Sequence, residues 1–155
     1  FEPELSDKYA YQGKQGMMAI GSGRLTGEGF LDGRMTQAST GLPAKHTDFI
    51  FATVGEEWGF IGCVFVILLL SAIVLRIFYD SAHTNDHFAR LMCIGVGGML
   101  MVQTLINVGM CAGIMPVIGL TLPFFSYGGT SVTISLTCLG FVCGFVMRQK
   151  PSWLR

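Results

Sequence analysis

The sequence predicts an all-α integral membrane chain that crosses a bilayer about three times, with a long polar loop ahead of the first crossing. Two uncharged runs carry this reading. From Leu91 to Met147 there is no Asp, Glu, Lys, Arg or His, a run of 57 residues. A second run of 18 residues extends from Trp58 to Leu75 and closes on Arg76. A helix that crosses the hydrocarbon core needs about 20 apolar residues, so the longer run suits two crossings with a turn between them. Composition agrees, since 13% of the residues are charged and mean hydropathy is +0.55. Soluble domains carry roughly a quarter charged residues. A soluble protein burying three such helices would have too little polar surface left to cover them.

Residues 1–48 are polar, with eight glycines between Gly13 and Gly41, and read as an extracytoplasmic glycine-rich loop with a short helix around Tyr9–Ile20. The first transmembrane helix is expected at 49–78, from the apolar run and its extension upstream of Trp58. Residues 79–89, with Asp80, His83, Asn85, Asp86 and His87, form a cytoplasmic loop. The second transmembrane helix is placed at 90–114. Pro116, Gly119, Pro123 and Gly128 then interrupt helix chemistry, giving an extracytoplasmic loop at 115–128. The third transmembrane helix is 129–147, and 148–155 is a cytoplasmic tail. Sidedness follows the Lys and Arg residues near the crossings. Arg76, Arg90, Arg148, Lys150 and Arg155 lie on one side, Arg34 and Lys45 on the other.

Ten basic and ten acidic residues give no net charge, so nothing attracts nucleic acid in bulk. All five cysteines sit in apolar runs without metal-ligand spacing and read as small packing residues. The chain starts at Phe1 with no signal-peptide pattern and is expected to be part of a larger protein.

The densest chemical signal is His46-Thr47-Asp48-Phe49-Ile50-Phe51-Ala52, followed by Gly55-Glu56-Glu57-Trp58-Gly59. Asp48 stands where the polar loop meets the first crossing. Thr47 or Asp48 also suits a helix N-cap. Eight residues of helix put Asp48 and Glu56 on one face about 12 Å apart. Carboxylates inside a crossing are costly and face a partner or a wet cavity, which makes Glu56 and Glu57 either functional or half of an ion pair with another helix. Gln103 and Asn107, four apart, suggest hydrogen bonds between helices. Gly21-Ser22-Gly23-Arg24-Leu25-Thr26-Gly27 resembles a phosphate-cradling loop, although no strand precedes it. Ser126-Tyr127-Gly128-Gly129-Thr130-Ser131 opens the third crossing, as a capped helix start or as the wall of an outward cavity.

Together these blocks resemble the C-terminal part of the shape, elongation, division and sporulation family, which includes RodA, FtsW and SpoVE. Tyr11-Gln12, Gln15 and Ala19-Ile20-Gly21-Ser22-Gly23 match the run before the family's large outer loop. His46–Ala52 with Gly55-Glu56-Glu57 match its signature. Asn107-Val108-Gly109, Pro116-Val117 and Leu122-Pro123-Phe124-Phe125-Ser126-Tyr127-Gly128-Gly129 match its last outer loop. Thr36-Gln37, Gly62, Gly109-Met110 and Gly129-Thr130-Ser131 look more like RodA than FtsW. Gly16 and Ala44 depart from the Ser and Glu that the family commonly has there.

The resemblance implies a polytopic protein of about ten helices in the bacterial inner membrane, of which this chain would supply the last three. It implies a peptidoglycan glycosyltransferase that polymerises lipid II beside a class B penicillin-binding transpeptidase, within membrane lipids. A divalent cation, Mg²⁺ or Mn²⁺, is suggested for some members. The family's essential outer-loop aspartate maps onto Asp48 as the catalytic residue. Lys45, His46, Thr47, Gln37, Arg34 and Ser126 are the expected substrate contacts, and Glu56, Glu57, Gln103 and Asn107 the intramembrane polar residues. A base at Asp48 would take the proton of the attacking sugar hydroxyl. Lys45, Arg34 or Arg24 could meet the leaving pyrophosphate. The alternatives are a lipid II flippase, which needs a charged path that the second and third crossings lack, and a non-catalytic scaffold for the transpeptidase.

Overall fold

The computed structural model describes residues 3–29 and 48–148. Regular structure among them is helical: α1 Pro3–Ser22, α2 Ile50–Ala82, α3 His87–Cys111 and α4 Gly129–Met147. The last three are each long and apolar enough to cross a membrane.

Helix α1 is 20 residues long, where the sequence predicts a loop with a shorter helix. The glycines that read as loop composition serve here as a flat face. A Cβ at Gly16 would come to 3.0 Å from the Phe49 ring, and one at Gly13 would touch Val117. Pro3 occupies the first helical position, where its missing N–H leaves no helical bond unmade. The helix packs on α2 and more lightly on α3. Its Ala19 joins Phe49, Phe51, Ala52, Cys63, Val66, Leu70, Cys111 and Leu122 in one apolar core.

Helix α2 is broken at Gly59, whose φ of 67° and ψ of −162° only glycine adopts readily. Non-helical backbone at membrane depth survives only where protein re-satisfies its polar groups. In an unbroken helix Phe60 N–H would bond to Glu56 O, and Ile61 N–H to Glu57 O. Here the segment after α1 takes both places. Glu28 N–H donates to Glu56 O at 3.0 Å and Gly29 N–H to Glu57 O at 3.2 Å, while Phe60 N–H and Ile61 N–H donate to Arg24 O at 2.9 Å and Leu25 O at 3.3 Å. The glycine-rich loop is thus spliced into the helix, bond for bond. It can lie that close because it lacks side chains: a Cβ at Gly23 would land on Gly55 O, and one at Gly27 on Glu57 O.

The opposite end of α2 runs four residues past the predicted Phe78, to Ala82. Arg76 and Asp80 pair one turn apart at 3.1 Å, and Thr84 Oγ1 donates to Asp80 O at 2.7 Å. Helix α3 starts at His87, not Arg90, because the Asp86 carboxylate caps it by accepting from Phe88 N–H at 3.1 Å. It ends at Cys111, not Ile114. Gly113 takes φ 71°, its N–H donates to Met110 O, and Ile114 N–H donates to Gly109 O, the Schellman pattern that stops a helix. Helix α4 packs on α3, with the Phe88 and Phe145 rings edge to face at 5.8 Å. Val74, Ile77, Cys93, Leu100 and Val142 form a second core, and Phe124 packs against both. Leu68, Leu75, Leu105, Ile134 and Phe141 remain exposed and apolar, as lipid- or helix-facing surface must be.

Candidate functional site

Asp48 lies in the turn that leads into α2, outside the helix. Phe49 is the N-cap residue, and no side chain caps this end. The capping role open to Asp48 in the sequence is therefore not the one it plays, and the 12 Å helical spacing to Glu56 does not apply to it. Fully buried Phe49 anchors the turn in the core against α1. Asp48 itself is half-buried, with Oδ2 within 3.5 Å of where a Cβ on Gly119 would be. Gly119 belongs to the 112–128 loop and has φ 75°. The carboxylate thus lies where the start of α2 meets the α3–α4 connection.

Asn107 joins those two segments. It is 0% exposed, and its Nδ2 donates both to Asp48 O at 2.9 Å and to Leu120 O at 2.6 Å. The sequence suggests helix-to-helix bonding for this residue. Its partners are instead two backbone carbonyls from irregular segments. Cys111 Sγ lies 4.0 Å from the same Asp48 carbonyl. Gln103, one turn earlier on α3, is half-buried.

The 112–128 loop braces itself. Leu122 N–H donates to Ser126 Oγ at 2.7 Å, and Ser126 N–H donates back to Leu122 O at 3.2 Å. Between them Phe124 takes φ 64°, unusual for a bulky residue. Thr121 Oγ1 and Ser131 Oγ, 2.8 Å apart, tie the loop to α4. Ser126, expected to line a cavity, is 2% exposed and occupied in holding the loop.

Glu56 is fully enclosed at the splice in α2 and Glu57 is half-buried there. The Gly21–Gly27 motif forms that splice, and it also lines a polar hollow of about 610 Å³ with Ser22, Arg24, Thr26 and Glu28. An apolar groove of about 470 Å³ runs between α2 and α3 from Ile67 and Val108 to Phe78. Arg34, Gln37, Lys45, His46 and Thr47 lie outside the described residues. Among the described residues no three His, Cys, Asp or Glu side chains gather as a metal site. Sequence reasoning missed the clamp formed by Asn107 and the break at Gly59. The first gave no signal beyond a polar residue in an apolar helix, and the second only a glycine after Trp58.

The FtsW/RodA/SpoVE family model, described as "Cell cycle protein", matches residues 2–150. The chain belongs to this family. Among curated relatives it is 38% identical over 154 residues to the probable peptidoglycan glycosyltransferase FtsW of Bacillus subtilis, covering 96% of this chain and 38% of that protein. It is also 38% identical to the peptidoglycan glycosyltransferase MrdB of Escherichia coli K12, covering 88% of this chain and 36% of the relative. These equal identities leave the lean toward RodA resting on local motifs. Among solved structures, a chain of a peptidoglycan synthase complex described as coordinating polymerization and crosslinking superposes with a TM-score of 0.71 at 33% identity, covering 88% of this chain and 38% of that one. This FtsW/RodA/SpoVE chain therefore spans a little over a third of the length of the relatives it matches.

Proposed function

We propose that this chain forms the C-terminal part of a peptidoglycan glycosyltransferase of the bacterial inner membrane, which polymerises lipid II into glycan strands with Asp48 as general base. The observation that carries the reading is Asp48: a half-buried carboxylate at the end of a membrane-crossing helix, held by its own backbone against a second loop. A lipid-anchored substrate presents its sugars at that depth, and relatives of this chain are named for this activity.

In the proposed step a hydroxyl of the acceptor sugar attacks the anomeric carbon of the lipid-linked donor. The new carbon–oxygen bond forms as the bond from that carbon to the pyrophosphate oxygen breaks. The hydroxyl proton passes to Asp48, and undecaprenyl pyrophosphate leaves with the electron pair. A positioned base contributes about 10²- to 10⁴-fold to such a rate. Arg24, exposed on the spliced loop nearly three helical turns from the start of α2, is proposed to meet the negative charge of the leaving group. Lys45 and Arg34 are proposed for the same role, with His46, Thr47 and Gln37 as further substrate contacts.

The described residues do not build a cation cage by themselves. Mg²⁺ commonly binds through one or two carboxylates together with substrate phosphates, so a divalent ion here would be held chiefly by the substrate and would supply charge to the leaving group. The peptidoglycan synthase complex it resembles supports a class B penicillin-binding transpeptidase as partner. In the orientation proposed from the basic residues near the crossings, Asp48 and the 112–128 loop face the extracytoplasmic side, and the 83–86 turn faces the cytoplasm.

The test is purified full-length protein with lipid II, without ATP or an ion gradient. Glycan strands are the expected product. Transfer of lipid II across the membrane with no strand formation would favour a flippase.

A further inference from the structure

Asn107 ties two backbone carbonyls from separate segments to one side chain. Its Nδ2 spends both protons on carbonyls from segments 59 and 13 residues away in sequence. Asp48 O lies one residue outside the α2 ladder, whose first bond is Thr53 N–H to Phe49 O. Leu120 O lies in an irregular loop. Neither carbonyl is part of a helix, and one side-chain nitrogen brings them together. Asn107 Oδ1 is buried and has no hydrogen-bond partner among the described residues. What the arrangement does achieve is registration. The backbone of Asp48 is fixed to Leu120, and the Asp48 carboxylate lies beside Gly119, the residue just before it.

We propose that Asn107 is a positioning residue: its amide locks the Asp48 backbone onto the 112–128 loop and so sets where the carboxylate meets the acceptor hydroxyl. This rests on the reading of Asp48 as base. A base displaced by about 1 Å can lose about 10²-fold in rate without any loss of substrate binding.

The test uses full-length protein in detergent or liposomes, with lipid II polymerisation measured as kcat and KM separately. Asn107→Ala is expected to insert and elute normally, lower kcat by about 10²-fold and leave KM within about twofold. Asn107→Asp keeps the size but loses the paired donors. It is expected to lose a comparable part of kcat, and it carries the test if the alanine variant does not fold. Combining Asn107→Ala with Asp48→Glu supplies the readout that a structural role would not move. If Asn107 acts through Asp48, the two losses are far from additive, because the clamp then positions a carboxylate already out of place. Additive losses would overturn the inference. So would a wild-type kcat in either folded Asn107 variant while Asp48→Asn is inactive, and so would failure of both variants to fold, which makes Asn107 a folding residue. An active Asp48→Asn protein would instead overturn the assignment of the base, which keeps the two failures apart.

Discussion

Helices α2 and α3 are tied together at both ends, and the two ends are built from different bonds. At the 83–86 turn the partners are close in sequence: Asp80 with Thr84, Asp86 with Phe88, Ser81 with Arg90. At the Asp48 end they are distant: Asn107 reaches across 59 residues, and the segment Arg24–Gly29 is stitched to Glu56–Ile61. The first end closes a hairpin that would form on any pair of helices. The second holds together three segments that have no local reason to meet, and the carboxylate proposed for chemistry lies among them. Long-range fixation at one end and local closure at the other is what a scaffold carrying a site at one surface requires.

The contrast can be broken most severely at the splice. Gly59→Ala places a side chain in a backbone region reserved for glycine and drives its Cβ into the Arg24–Gly27 segment. Gly27→Ala drives a Cβ onto Glu57 O. Each should cost about 3 kcal/mol or more and lower the melting temperature in detergent by several degrees or abolish insertion. A near-wild-type melt for both would mean that the loop does not complete the helix. At the local end the effects should be far smaller. Asp86→Ala removes a cap and should cost about 1 kcal/mol with polymerisation unchanged. Arg76→Ala breaks an ion pair whose arginine is 71% exposed, and should cost no more than about 0.5 kcal/mol. An Arg76→Ala loss equal to that of Gly27→Ala would erase the distinction between the ends.

The same division explains what the sequence made legible. Three helices long and apolar enough to cross a membrane were readable because they are statements about runs of residues. Local stops were written there as well. Asp86 before an apolar run and Gly113 after one are ordinary cap signals, and giving them more weight than the last charged residue would have set α3 at 87–111. Glycine misled in α1, where it makes a packing face, and Ser126 misled because its hydroxyl serves its own loop. The splice at Gly59 and the clamp at Asn107 were not legible, since each depends on which distant segment arrives alongside.

The most direct measurement makes one chemical change at both ends. Asp48→Asn and Asp86→Asn each remove a carboxylate and keep its size, at opposite ends of the same helix pair. In the full-length protein both variants should insert and melt close to wild type, the latter because asparagine also caps helices well. Lipid II polymerisation should fall by about 10²- to 10⁴-fold for Asp48→Asn and stay at the wild-type rate for Asp86→Asn. A folded Asp48→Asn protein that makes glycan strands at the Asp86→Asn rate would contradict the account.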